Sequence, residues 1–131
     1  MKNLLPFLFL ILILSSCTNS VSEDHFYDAG ISLELAKFRK QQISNIHYTL
    51  DFSIPKNKNE GINSFLKVDL TVSNREHPLI LDFNDKSENI KSIHVNGKPT
   101  DIRHEQEHII IDAKTLNAGA TQLKLEVIAG H

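Results

Sequence analysis

The spacing of apolar residues changes character twice along the chain. Residues 4–14 are an unbroken apolar run apart from Pro6, and residues 18–30 are mostly polar and read as a linker. Ile31, Leu35 and Phe38 then recur at i, i+4 and i+7, which predicts a helix over 31–43 that buries those three side chains. Ser32 is placed to cap it, Glu34 lies near its positive end, and Lys37, Arg39 and Lys40 lie near its negative end. From Ile46 the period falls to two. Ile46, Tyr48, Leu50, Phe52 and Ile54 alternate with His47, Thr49, Asp51 and Ser53, predicting a half-buried strand with its apolar side on a core.

Five more strand patterns follow. Leu66, Val68, Leu70 and Val72 alternate with polar residues, after a turn-rich connection over 55–61. Residues 79–83, 90–95, 108–112 and 123–127 are short apolar or β-branched segments. Asn96-Gly97 suits the positive φ angles of a two-residue hairpin, and Asn117-Ala118-Gly119 marks another turn. Short strands at regular spacing predict a mainly β fold, an antiparallel β-sandwich or saddle-like sheet with one short N-terminal helix.

The N-terminal run is shorter than the ~20 apolar residues a spanning helix needs. No Lys or Arg cluster follows it. Lys2 precedes it and Ser15-Ser16-Cys17 close it, the layout of a secretory signal. Leu14-Ser15-Ser16-Cys17 resembles a bacterial lipobox, in which cleavage leaves the cysteine as a lipid-modified first residue. The resemblance implies a signal peptide over 1–16, lipidation at Cys17, a linker to residue 30, and a domain over 31–131. It also implies export and anchorage to the bacterial outer membrane, on its periplasmic or cell-surface side. Glu23-Asp24 resembles the acidic tag of surface-directed lipoproteins. The competing reading is an uncleaved anchor with Cys17 a small buried residue. Cys17 is the chain's single cysteine, so the domain must hold by packing alone. The last strand pattern runs almost to His131 with no covering element after it, the expected look of a truncated longer polypeptide.

Charge and composition remove several classes. The formal net charge is −2 and Lys and Arg are not clustered, which argues against a nucleic-acid surface. Trp is absent and Tyr occurs twice, so aromatic platforms are scarce and the aromatics are expected inside the strands. No G-x-S-x-G elbow, phosphate-binding glycine loop or Cys–His pair is available once Cys17 is lipidated.

His104-Glu105-Gln106-Glu107-His108 satisfies H-E-x-x-H, the zinc motif of metallopeptidases, which works when i and i+4 share one helical face. Its neighbours favour a strand–turn–strand instead: Ile102 precedes it, and Ile109-Ile110-Ile111 follow. Four extended residues span about 13 Å, too far for two ligands on one ion. No metal ligand is therefore assigned. Asp82 and Asp112, the other carboxylates among apolar strand residues, are expected at the solvent face or as turn acceptors. His25, His47, His77, His94 and His131 are expected at exposed or edge positions.

The segment from Leu35-Ala36-Lys37-Phe38-Arg39 to Tyr48-Thr49-Leu50-Asp51-Phe52 resembles the opening of M1-family zinc aminopeptidases, a short helix followed by a strand with Tyr-x-Leu. Later pieces keep the family's order. Leu81-Asp82-Phe83 is similar to its Leu-Asp-Phe strand end, and Ile93-His94-Val95-Asn96-Gly97 to its Val-x-Val-Asn-Gly hairpin. His108 to Ile111, Leu116 and Gly119 resemble the next strand and turn, and 123–130 the strand after. Ser64 and Thr121 depart from a common glycine and asparagine.

The resemblance covers about 31–131. It implies a non-catalytic N-terminal β domain that packs on a downstream peptidase domain and helps wall a peptide-binding cleft. The family's exopeptidase segment and zinc helix lie beyond residue 131, so no catalytic residue is carried over. Zinc would belong to the full-length enzyme, and 104–108 would fall on a variable hairpin. The expected partners are the membrane, through Cys17, then the peptidase domain and peptides. A stand-alone lipid-anchored β-sandwich binding module is the alternative. A small zinc enzyme built on His104, Glu105 and His108 is a third reading.

Overall fold

The structure is a computed structural model, and it describes residues 26–130. Cys17, His25, His131, the apolar run and the acidic pair Glu23-Asp24 lie outside the described residues. Within them the fold is mainly β, antiparallel throughout, with one helix. The helix α1 (Leu33–Gln42) runs without a loop into β1 (Ile43–Ser53). There follow β2 (Asn63–Val72), β3 (Leu79–Asp82), β4 (Ile90–Val95), β5 (Lys98–Pro99), β6 (His104–Glu105), β7 (His108–Ile111) and β8 (Gly119–Ile128). Single 3-10 turns precede β4 and follow β7.

The strands form two sheets. Sheet one has five strands in the order β1-β2-β8-β4-β5, and sheet two has three in the order β3-β7-β6. One apolar seam joins them. Val68, Leu70, Ile93 and Leu123 from sheet one pack with Leu79, Ile109 and Ile111 from sheet two. Sheet two is covered on its other face as well, where Phe26, Leu35 and Phe38 pack on Ile80. Its central strand β7 is accordingly buried at every position, His108 included.

Local chemistry explains the element ends. The Ser32 hydroxyl accepts from the Leu35 N–H at 3.0 Å and starts α1 there. That start corrects one expectation: Ile31 lies ahead of the cap, outside the helical period, and is 61% exposed. The buried face of α1 is Leu35, Phe38 and Gln42. At the helix end, the Gln42 amide donates to the carbonyls of His77 and Pro78, tying the helix to the start of β3.

Two hairpins use two-residue turns with both residues at positive φ. Asn96-Gly97 has φ of 50° and 80°, the residue types such a turn favours. Asn96 also fixes the neighbouring strand, its side-chain oxygen accepting from the Gln122 N–H at 2.9 Å. Gln106-Glu107 has φ of 47° and 68° with neither glycine nor asparagine.

A second expectation fails at β1. The predicted alternation is present, and the register with β2 sets Tyr48 beside Val68, Leu50 beside Leu66 and Phe52 beside Ser64. The apolar side of β1 therefore continues the core-facing side of sheet one. Yet Tyr48 is 57%, Leu50 50%, Phe52 55% and Ile54 76% exposed. Three strands cannot cover five, and the buried seam reaches β2, β8 and β4 but not the body of β1. Phe65 on β2 is also 49% exposed, so the aromatics are not all strand interiors.

The left-handed conformation costs an L-residue about 1–2 kcal/mol. Glu107→Gly should thus raise the unfolding free energy by about 1 kcal/mol, the gain reduced by glycine's larger unfolded-state entropy. Urea titration of the variant beside the parent checks this.

Candidate functional site

The H-E-x-x-H residues are divided between β6 and β7, with Gln106-Glu107 as the turn. Residues opposite one another in an antiparallel pair share a face. His104 pairs with Ile109, and Glu105 with His108. His104 and His108 therefore project from opposite faces of the hairpin. Each ring is also committed to main chain: His104 Nε2 lies 2.9 Å from the Phe83 carbonyl and His108 Nε2 2.8 Å from the Asp28 carbonyl. A carbonyl only accepts, so both Nε2 atoms carry the proton and offer no lone pair to a metal. Among the described residues no group of three or more His, Cys, Asp and Glu side chains could hold a metal ion.

The glutamate of the motif is engaged too. Arg103 Nε donates to Glu105 Oε1 at 2.7 Å and holds the Glu105 carboxyl below the usual carboxylate range. A general base at neutral pH works best with its proton affinity raised toward that pH. Arg103 shifts Glu105 the other way.

His108 belongs instead to a cluster the sequence pattern did not reveal. Asp82, at the end of β3, is gripped by the Arg39 guanidinium of α1, with Nη1 to Oδ2 at 2.8 Å and Nη2 to Oδ1 at 2.6 Å. His108 Nδ1 lies 3.1 Å from the same Asp82 Oδ1. That approach is close but misaligned for a hydrogen bond. Helix, both strands and the segment carrying Asp28 meet here. Asp82 is exposed, as expected of a carboxylate on the solvent face, and it also holds the Arg39 guanidinium. The signal was present as an acid in an apolar strand, but its partner Arg39 lies 43 residues away.

The remaining candidates separate. Asp112 does act as a turn acceptor, taking the Lys114 N–H at 2.8 Å. It follows β7, while Asp82 pairs with His108 at the other end of that ladder, so the two carboxylates form no pair. His47 is exposed. His94 is half-buried on β4, and His77 stands edge-on to Phe38 with 5.3 Å between ring centres.

Three concave features stand out among the described residues, one of them a shallow groove of about 250 Å³ on the other face of sheet one, by Phe65, His94 and Lys124. A cleft of about 1020 Å³ lies by the turn after β7, where Arg75, Arg103 and Lys114 mingle with Glu76, Asp101 and Asp112. Its cations are partly occupied, Arg103 by Glu105 and Arg75 by the Leu116 carbonyl. The mixed charges select no ligand. A smaller groove of about 250 Å³ lies between the sheets where β1 overhangs. Tyr48, Leu66, Leu81, Phe83 and Val127 line it, with Arg39 and Asp82 among its walls. It opens onto the uncovered side of β1, where Tyr48, Leu50 and Phe52 add exposed apolar surface. Such a surface suits packing against another protein surface. Comparisons with protein-family models, curated proteins and solved structures found no match to this chain.

Removing one partner of a charge-assisted pair leaves the other poorly solvated, at about 1–3 kcal/mol. Asp82→Ala strips the bidentate partner from Arg39, so it should cost about 1–2 kcal/mol in urea unfolding, less than a buried pair because Asp82 is itself nearly half exposed. Asp112→Ala, which loses only a turn acceptor, should cost about 1 kcal/mol.

Proposed function

We propose that this chain supplies the non-catalytic N-terminal β domain of a lipid-anchored, M1-like zinc metalloaminopeptidase. The observation that carries the reading is the uncovered apolar side of β1 with the groove beside it. An isolated binding domain has no evident use for so much apolar surface on the core-facing side of its larger sheet. A domain seated against a second domain does. The resembling segments also fall in chain order on separate structural units. Leu35 to Phe52 forms the α1–β1 corner, Leu81-Asp82-Phe83 ends β3, and Val95-Asn96-Gly97 forms the hairpin after β4. The catalytic zinc and the residues that activate water would lie on the peptidase domain. This domain's part is to position that neighbour, wall the cleft that receives peptide N-termini, and hold the assembly at the membrane through Cys17.

Two measurements test the proposal. The coding sequence, expressed with whatever follows codon 131 in frame, should release N-terminal residues from aminoacyl reporters and lose that activity to a zinc chelator. Residues 1–131 alone should be inactive. A stop codon directly after codon 131, with no peptidase sequence in frame, defeats the reading. For the anchor, cells expressing the chain and fed labelled palmitate should label it, and Cys17→Ser should abolish the label and release the protein from the membrane fraction. Two acyl chains give stable anchoring at about 0.8 kcal/mol per buried methylene, so the loss of membrane association should be nearly complete.

One observation favours the alternative of a stand-alone binding module. Tyr48, Phe52 and Phe65 are about half exposed, and exposed rings can stack on sugars or peptides. A glycan-array or peptide ligand lost in Tyr48→Ala/Phe52→Ala would favour that module.

A further inference from the structure

The edges of the two sheets are finished differently. At one end of sheet one, β5 is only Lys98-Pro99. Proline has no N–H for a neighbouring strand, and lysine resists burial there. Sheet two ends in β3 with four residues and β6 with two. The opposite edge of sheet one is β1, with 11 residues and, among the described residues, a ladder on one side only. It contains no Lys, Arg, Glu or Pro, and Ser44 to Ser53 are all exposed. A bulge between Ser44 and His47, with Asn45 at φ 51°, interrupts its start and leaves His47–Ser53 regular. Long unprotected edges invite another strand.

The side chains on β1 specify which strand. Two copies can pair antiparallel about a twofold axis perpendicular to the sheet. Facing residues must then share a sheet face, so the axis passes through a residue. With the axis at Thr49, His47 of each copy faces Asp51 of the other. Tyr48 faces Leu50, and Ile46 faces Phe52. An axis at Asp51 would set two carboxylates face to face. An axis at Tyr48 or Leu50 would leave Asp51 opposite Asn45 or Thr49, and His47 without an acid. Only the Thr49 register sets an imidazole, a hydrogen-bond donor, against a carboxylate on one face while pairing aromatic with aliphatic on the other, combinations that stabilise cross-strand pairs.

We infer that β1 is a homodimerisation edge: two copies of this chain pair antiparallel about Thr49 and join their five-stranded sheets into one. The backbone edge makes the contact, so the apolar sides of the two β1 strands merge into a single surface that stays open. The inference holds whether or not the domain belongs to a peptidase.

Facing Cα atoms in an antiparallel pair lie about 4.5–5.5 Å apart, within reach of a disulfide. The full chain carrying Thr49→Cys, in membranes of expressing cells under mild oxidation, should form a bridged dimer as its major species. The bridge should map to the tryptic peptide 41–56, which excludes Cys17. Lys91→Cys, an exposed site outside the pairing, should remain unbridged beyond the parent's background. Asp51→Lys added to Thr49→Cys should suppress bridging, and His47→Asp/Asp51→Lys should restore it. Bridging of Thr49→Cys no greater than that of Lys91→Cys overturns the inference. So does suppression by Asp51→Lys that the double exchange fails to reverse. A β1 edge that takes a different strand, such as an extended peptide, would give the first of these results.

Discussion

The seam between the two sheets, where Val68, Ile93 and Leu123 meet Leu79, Ile109 and Ile111, is the contact on which the structure depends. A single cysteine leaves no internal disulfide to share the load. Each such side chain contributes about 1.5–3 kcal/mol when withdrawn from water. The seam also sets the outline of the domain, because the smaller sheet covers only the middle of the larger one. What lies beneath it is buried, and β1 lies outside it. The same sheet needs cover on its second face, and α1 with Phe26 supplies it.

That second layer explains the polar cluster. Packing a helix against β3 and β7 brings Arg39 to Asp82 and encloses His108 completely. A buried imidazole needs a partner, and the Asp28 carbonyl accepts from its Nε2, while the Asp82 carboxylate lies near Nδ1 without a hydrogen bond. The polar groups of greatest chemical interest are thus used to hold layers together. The H-E-x-x-H pattern loses its metallopeptidase meaning for the same reason. Its second histidine is a structural joint, its first lies on the other face of a hairpin, and its first glutamate is paired with Arg103.

The mismatch between the sheets leaves one side of the larger sheet uncovered among the described residues. An open apolar face and an open backbone edge are distinct resources that meet on β1. The face suits a neighbouring domain, which is how the proposed peptidase reading uses it. The edge suits a strand, and the opposed His47 and Asp51 make the best-matched strand a second β1. A lipid at Cys17 would raise the local concentration of copies on a membrane, which favours such pairing.

The elements themselves were legible in the chain. The helix, the six longer strands and the Asn96-Gly97 turn follow from periodicity and turn chemistry, which are local properties. Even the fate of residues 104–108 as strand, turn, strand could be read from the isoleucines beside them. The short strands β5 and β6 went unread, because two residues carry no period. Local pattern also misjudged Ile31, whose exposure depends on where the Ser32 cap begins the helix. What only the tertiary structure decided is which apolar faces are covered and which charges meet. Tyr48, Leu50 and Phe52 alternate as any half-buried strand would, yet they lie open because the facing sheet has too few strands to reach them. Asp82 looks like any acid at a strand end until the helix delivers Arg39. Both outcomes turn on contacts between segments distant in sequence, and neither alternation nor spacing within one segment records them.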